Sequence, residues 1–91
     1  MRFSWSPIKN DWLKKERDIS FEEILLNIDN GGLVDVVEHP NQSKYPGQRI
    51  FIVNVVGYIY MVPFEEHEDR IDLKTIIPSR KATKKYKKGS E

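Results

Sequence analysis

The residues most able to do chemistry are a cluster of cations near the end of the chain. If this stretch is helical, residues four apart share a face, so Arg80 lies beside Lys84 and Lys81 beside Lys85. Such a cluster attracts phosphate groups, although a solvated basic tail would have the same composition. The nine residues from 80 to 88 contain six cations and one aromatic side chain: Arg80, Lys81, Lys84, Lys85, Tyr86, Lys87 and Lys88.

Other side chains could act together with this cluster. Arg49 opens one predicted strand and Arg80 follows another, so both guanidinium groups could bind one phosphate if the strands are neighbours. Tyr45, in a turn-rich loop, and Tyr86, on the basic helix, could stack on unpaired bases or could equally pack against the protein surface.

The residues that several common catalytic, metal-binding and nucleotide-binding sites require are absent from the sequence. The chain has no cysteine, which excludes disulfides, a thiol nucleophile and a zinc–thiolate site. Neither His39 nor His67 has the spacing of a metal-ligand pair, and Gly31-Gly32 stands in the wrong order for a nucleotide-binding loop. We expect no metal and no cofactor, and the acidic stretch 65–69 is interpreted as a solvated hairpin tip.

Length and charge indicate one small domain with separated charges. The 91 residues have a net charge of +1, yet seven Lys or Arg face a single Glu from Lys74 to Glu91. We predict one domain over residues 1–88 and a flexible tail over 89–91. Because the chain has neither a spanning apolar run nor a signal-peptide pattern at its start, we expect a cytoplasmic protein with no membrane partner.

Two helices are predicted early in the chain. Ser6-Pro7 starts the first, over 7–17, and a capping box at 20–23 starts the second. The first helix is expected to bury Ile8 and Trp12 and to direct Asn10 to solvent. Trp5, in a short first strand, is expected to lie in the core with Trp12.

The remaining elements are mostly strands. Alternating or continuous apolar runs predict strands over 33–37, 48–55, 58–64 and about 70–77. Pro78 should end the last strand because proline cannot donate to a sheet, and Ser79 should cap a terminal helix. The order β-α-α-β-β-β-β-α and the short turns predict an α+β fold with an antiparallel meander.

With this order of elements, the chain resembles the BrnT-type toxins, small ribonuclease toxins of bacterial toxin–antitoxin pairs. The closing element matches most specifically, although lysines 84 and 85 stand where that family commonly has arginine, and Tyr86 stands near its glutamate. Three stretches, in the same order along the chain, are similar to motifs of that family: 3–10 (FSWSPIKN), 18–24 (DISFEEI) and 76–86 (IIPSRKATKKY).

The resemblance implies a RelE-like fold and a metal-independent endoribonuclease. That fold would be an antiparallel sheet of four to five strands, with two N-terminal helices on one face and a short C-terminal helix. A ribose 2′-OH would attack the scissile phosphate while cations stabilise the added charge. Arg49 and Arg80 would clamp that phosphate, with His39 or Tyr86 as general base. Flanking phosphates would be held by Lys81, Lys84 and Lys85.

The implied partners are RNA and a cognate antitoxin protein, in a homodimer or a toxin–antitoxin hetero-oligomer. The alternative is a small regulatory module that binds nucleic acid or a protein partner without catalysis.

Overall fold

The computed structural model describes residues 2–89, with side chains described through residue 86. The predicted order of elements is confirmed except that the last strand is divided in two. The elements are β1 (Arg2–Ser4), α1 (Pro7–Arg17), α2 (Phe21–Asn27), a π-helical turn (Ile28–Gly32), β2 (Leu33–Glu38), β3 (Arg49–Val55), β4 (Tyr58–Glu66), β5 (Arg70–Leu73), β6 (Ile77–Pro78) and α3 (Arg80–Gly89). The predicted flexible tail at 89–91 lies almost entirely outside the described residues.

The sheet is mixed, which corrects the prediction of a purely antiparallel one. Its strands run in the order β1-β5-β4-β3-β2, and β6 adds to β4. The predicted meander from β2 to β5 is antiparallel throughout, but β1 pairs with β5 in parallel. Parallel neighbours need a long connection, and here helices α1 and α2 lie within the chain segment that separates β1 from β5.

The last predicted strand is interrupted between β5 and β6. The two parts pair with opposite ends of β4, at Phe64–Glu66 and at Tyr60–Met61. Between them, the Ile76 side chain is fully buried and its carbonyl accepts a hydrogen bond from Arg17. The backbone therefore leaves the ladder because Ile76 enters the core and finds a partner on α1. The chain returns to β4 only for the two residues of β6, which ends at Pro78 as predicted.

The sheet has two apolar faces. Helices α1 and α2 cover the first, which we call the α1–α2 face; its core includes Leu13, Phe21, Phe51 and Phe64. The second, which we call the α3 face, has a smaller core of Ile50, Ile52 and Ile59, packed against Val37, Met61, Ala82 and Tyr86. Since successive residues of a strand point to opposite faces, β3 supplies both cores.

The buried side of α1 differs from the prediction. Asn10 and Leu13 are buried, whereas Ile8 is 83% exposed and Trp12 is 41% exposed. The Trp12 ring instead lies beneath the cations of Lys9 and Arg17, at 4.5 and 4.9 Å from its centroid. Trp12 is therefore not the predicted core anchor.

Trp5 does belong to the core, as predicted. It is partly buried and stacks on Phe21 with ring centroids 5.6 Å apart.

Asn10 is buried because it joins α1 to the start of α2. Its Oδ1 accepts the Phe21 N–H at 2.9 Å and its Nδ2 donates to Glu22 at 2.7 Å. The first N–H groups of a helix have no partner within the helix, so this bond satisfies one of them. The Asn10 amide also lowers the pKa of Glu22, because it donates to the ionised carboxylate.

The N-terminal helices carry caps at the predicted serines. Ser6 accepts the Lys9 N–H and Ser20 accepts the Glu23 N–H, each at 3.1 Å. Within residues 2–89, no helix is long and apolar enough to cross a membrane.

Replacing Asn10 by Ala should lower the free energy of unfolding by about 1–3 kcal/mol, since the buried Phe21 N–H is left without an acceptor. Chemical denaturation measures this change, and Asn30→Ala, at an exposed position, serves as the control. Because the Asn10 amide lowers the pKa of Glu22 in the folded protein, its bond to Glu22 contributes less as the pH falls and Glu22 becomes protonated, and the difference in stability between wild type and variant should narrow. An unchanged stability of Asn10→Ala at neutral pH would contradict this role.

Candidate functional site

The basic helix α3 is attached to the sheet through the backbone of Ile59. The Ile59 carbonyl accepts the Ser79 N–H at 3.0 Å, and the Ile59 N–H donates to the Thr83 hydroxyl at 2.8 Å. Ser79 also caps the helix, as predicted, because its hydroxyl accepts the Ala82 N–H at 3.0 Å. The start of α3 therefore supplies the hydrogen-bond partners of the Ile59 N–H and C=O groups, which a neighbouring strand would otherwise provide.

One side of α3 packs on the sheet and the other carries the cations. Ala82 and Tyr86, four residues apart, contact the core of the α3 face. The four predicted cations on this helix are all exposed: Arg80, Lys81, Lys84 and Lys85. All four side chains are therefore accessible from solvent.

These cations differ in their electrostatic surroundings from the cations that lie near the acidic stretch. Among the side chains that the structure describes, the four cations of α3 form no ion pair within 4 Å. Arg2, Arg49, Arg70 and Lys74 do form such pairs, with carboxylates between Glu65 and Asp72. In addition, the first turn of α3 carries no acidic residue, although a helix N-terminus is the positive end of its dipole. This arrangement concentrates positive potential at one end of the molecule.

A groove runs between α3 and the strands of the α3 face. It has a volume of about 490 Å³, with Val37, Ile52 and Met61 along its floor. Lys81 and Lys85 line it from the helix, as their spacing of four residues predicts. An apolar floor beside two ammonium groups suits a ligand that combines a flat apolar part with phosphate.

Tyr86 lies in this groove and is tied to β2. Its hydroxyl donates to Asp35 at 3.2 Å, and the Lys85 ammonium lies 5.4 Å from its ring centroid. Burial raises the pKa of the Tyr86 hydroxyl, and the bond to Asp35 raises it further because Asp35 accepts from the protonated form. At neutral pH the Tyr86 hydroxyl is therefore protonated and donates to Asp35, which does not suit a general base.

His39 and Tyr45 come together in a second pocket on the α3 face. Their ring centroids are 4.5 Å apart, and the pocket of about 350 Å³ that they line also includes Pro63, Lys74 and Ile77. Ile77 pairs with Met61 of the groove, so the two cavities are adjacent. The loop between β2 and β3 thus brings two predicted site residues towards the basic helix.

The hydrogen bonds of His39 restrict its chemistry. Its Nδ1 accepts the Asn41 N–H at 3.0 Å. A neutral imidazole has one donor and one acceptor nitrogen, so the proton of neutral His39 lies on Nε2. In this arrangement Nε2 can donate to a phosphate oxygen but cannot accept the proton of an attacking hydroxyl. The Tyr45 ring also makes contacts within the protein, since it lies against the His39 ring and its centroid is 5.4 Å from the Lys44 ammonium.

Arg49 does not join Arg80, which changes the predicted phosphate clamp. Arg49 pairs with Phe64 across the strands, so its side chain lies on the α1–α2 face, over the Phe64 ring and in an ion pair with Glu66. Arg80 follows Ser79, which is bonded to Ile59, five residues from Phe64 along β4. At about 3.3 Å per residue, the two positions are separated by roughly 17 Å along the strand as well as by the sheet itself.

The acidic stretch is more constrained than a solvated hairpin tip would be. Glu65, His67 and Asp72 bring three potential metal-ligand atoms within 4.8 Å of one another. However, the Lys74 ammonium already lies 3.6 Å from Glu65 and 3.7 Å from Asp72. Hydrogen bonding from Ser4, aided by Lys74 and Arg70, lowers the pKa of Asp72, so that carboxylate stays ionised and paired within the protein.

The sequence did not single out two contributors to this surface. Lys74 lines the pocket with His39, and Asp35 holds the Tyr86 hydroxyl. The side of the sheet on which Lys74 lies could have been predicted from strand alternation only if the interruption of the last strand at Ile76 had been known. The Asp35–Tyr86 contact joins residues 51 apart in sequence and has no local signal.

None of the family models, curated proteins or solved structures compared with the chain matches it. The resemblance to BrnT-type toxins therefore stays a prediction.

Replacing Thr83 by Val should detach α3 from the sheet while keeping the side-chain shape. The Ile59 N–H would be left without its acceptor, and we expect the free energy of unfolding to fall by about 1–3 kcal/mol. Hydrogen exchange should show faster exchange of the Ile59 amide. Thr75→Val, the same substitution at a nearby position, is the control. Unaltered exchange at Ile59 in Thr83→Val would contradict this anchoring role.

Proposed function

We propose that this chain is an RNA-acting domain that holds the RNA backbone on the α3 face. One observation carries the proposal: four exposed cations lie on one helix, beside an apolar groove, with no ion-pair partner among the described side chains. Phosphates would relieve the mutual repulsion of these cations and their conflict with the helix dipole. The apolar floor of the groove and the Tyr86 ring would contact bases.

We further propose that the activity is that of an endoribonuclease toxin of a toxin–antitoxin pair. This step is supported by the resemblance of residues 3–10, 18–24 and 76–86 to BrnT-type toxins. The ribose 2′-OH would attack the neighbouring phosphorus and the bond to the 5′ oxygen would break. The products would be a 2′,3′-cyclic phosphate and a 5′-OH end. The 2′-OH would release its proton to solvent water, and the leaving 5′ oxygen would take a proton from water, so that protons balance over the reaction.

The residues of the α3 face have distinct parts in this mechanism. Arg80 and Lys81, in the first turn of α3, would stabilise the charge that develops on the phosphate. Lys84 and Lys85 would hold flanking phosphates. The Nε2–H of His39 would donate a hydrogen bond to a phosphate oxygen. The Tyr86 hydroxyl already donates its one proton to Asp35, so Tyr86 would contribute its ring as a contact for a base. Arg49, on the opposite face, has no part in this arrangement.

A non-catalytic RNA-binding module is the second candidate, and a specific observation favours it. The two candidate acid–base side chains, His39 and Tyr86, both carry a proton that they donate, so neither is ready to remove a proton from a 2′-OH. The surface thus has groups that can bind phosphate but no identified general base. Such a module would bind RNA and leave it intact.

RNA binding should depend on the two lysines of the groove. We expect the double variant Lys81→Ala/Lys85→Ala to bind a fluorescent single-stranded RNA more weakly. The slope of log K against log salt should fall by roughly 0.7 for each phosphate that the variant no longer neutralises. Fluorescence anisotropy at several salt concentrations measures both quantities.

A matched control separates this effect from that of net charge. Lys14→Ala/Lys15→Ala removes the same charge from exposed positions of α1 and should bind RNA nearly as the wild type does. Equally weakened binding in both double variants would point to a general charge effect and contradict the proposal.

Toxicity should depend on Arg80. Induced expression of the wild type in a bacterial host should arrest growth and produce RNA fragments with cyclic phosphate ends. Arg80→Ala should do neither, whereas Arg2→Ala, an exposed arginine on β1, should behave as the wild type does. Full arrest by Arg80→Ala would contradict the assigned role. A wild type that binds RNA without cleaving it or arresting growth would support the binding module instead.

A further inference from the structure

Strand β2 is at the end of the sheet and has one side without a neighbour. Within residues 2–89, it pairs only with β3. An exposed strand edge presents N–H and C=O groups that can pair with another strand. β2 contains no lysine or proline, the residues that most often protect such an edge, and Val34 and Val36 are 42% and 37% exposed. The surface therefore suits a strand as its partner.

The outward backbone groups of β2 can be identified from the ladder. The His39 N–H bonds to the Gln48 carbonyl, in register with the pairs Val37–Ile50 and Asp35–Ile52. In an antiparallel ladder, hydrogen-bonded pairs alternate with non-bonded ones, so the N–H and C=O groups of Val36 and Glu38 point away from β3. The Val36 N–H accordingly donates to the Asp35 side chain at 2.8 Å.

The side chains of β2 place apolar and acidic residues on both faces of the sheet at this edge. Val36 pairs with Phe51 and lies on the α1–α2 face, whereas Asp35 pairs with Ile52 and lies on the α3 face. A matching strand would place apolar side chains beside Val36. On the α3 face it would place an acidic side chain near Val37, which lines the groove together with Lys81 and Lys85. β2 itself has this pattern.

We propose that two copies of the chain pair through β2, antiparallel, with Val36 of one copy opposite Val36 of the other. In this register Asp35 of each copy is opposite Val37, and Val34 is opposite Glu38. No two acidic residues face each other directly, and each Asp35 approaches the groove lysines of the other copy. Two-fold pairing of one surface with itself is the commonest arrangement of protein dimers.

Asp35 keeps the edge satisfied when no second copy is present. One of its oxygens accepts the Val36 N–H, and the other accepts the Tyr86 hydroxyl. When two copies pair, the Val36 N–H of one copy donates to the Val36 carbonyl of the other. Asp35 still accepts the hydrogen bond from the Tyr86 hydroxyl. The bulge between Leu33 and Asp35 confines the paired segment to the C-terminal part of β2. The dimer does not depend on the proposed ribonuclease activity, since its surface is a backbone edge.

Charge substitution at the two-fold axis tests this register. Val36→Lys and Val36→Glu each place two like charges opposite each other in the dimer, which is destabilising. Sedimentation equilibrium should give twice the chain mass for the wild type and half of that value for each variant alone. An equimolar mixture of the two variants should recover the dimer mass, because opposite charges then meet. Ile8→Lys, which changes an exposed apolar residue of α1, should remain a dimer.

Circular dichroism would establish that both Val36 variants are folded. A wild type that is monomeric over a wide range of concentrations would overturn the proposal. It would also be overturned if the Val36 variants stayed dimeric, or if their mixture stayed monomeric.

Discussion

The backbone of Ile59 is the point on which the basic surface depends. Its carbonyl accepts from Ser79 and its N–H donates to Thr83, so both groups are bonded to the first turns of α3. Without these two bonds, a lysine-rich helix would have little reason to lie on an apolar sheet face, because among the side chains described through residue 86 only Ala82 and Tyr86 of α3 pack against the core there. The hydrogen bonds fix the helix, and the helix fixes the cations.

The placement of this helix also explains why its charges remain available. Pro78 ends β6 because it cannot donate to the ladder, and Ser79 then caps α3 directly. The helix therefore begins beside Ile59, roughly 17 Å along β4 from Phe64 and the acidic residues that follow it. Those acids pair with Arg49, Arg70 and Lys74 instead. The separation of the α3 cations from these acidic residues thus follows from the position at which β6 ends.

The local features of this fold could be predicted because they depend on neighbouring residues. Ser6, Ser20 and Ser79 each accept an N–H three residues ahead. The strands predicted over 48–55 and 58–64 leave only Val56-Gly57 to connect them, and these two residues have φ values of +50° and +83° that suit a tight hairpin turn. The cations of α3 could be assigned to its exposed side by their spacing alone.

The features that could not be predicted require partners distant in sequence. Asn10 looks like a surface residue until the Phe21 N–H is known to need an acceptor. The face of Arg49 could not be read from β3, because Ile50 to Val53 are buried on both faces and leave no alternation to follow. The donor form of His39 depends on one backbone N–H in the loop. Arg49 and Arg80 therefore lie apart, because the face on which Arg49 lies is set by strand pairing, whereas the four cations of α3 are close together in sequence.

An NMR titration of the labelled protein with a short single-stranded RNA tests most directly whether RNA binds to the α3 face. We expect the largest shifts of amide resonances on Lys81, Thr83, Lys85 and Tyr86, and on Val37 and Met61 beneath them, while Phe21 and Arg49 change little. Shifts concentrated on α1 and α2, with the α3 face unchanged, would contradict the proposal.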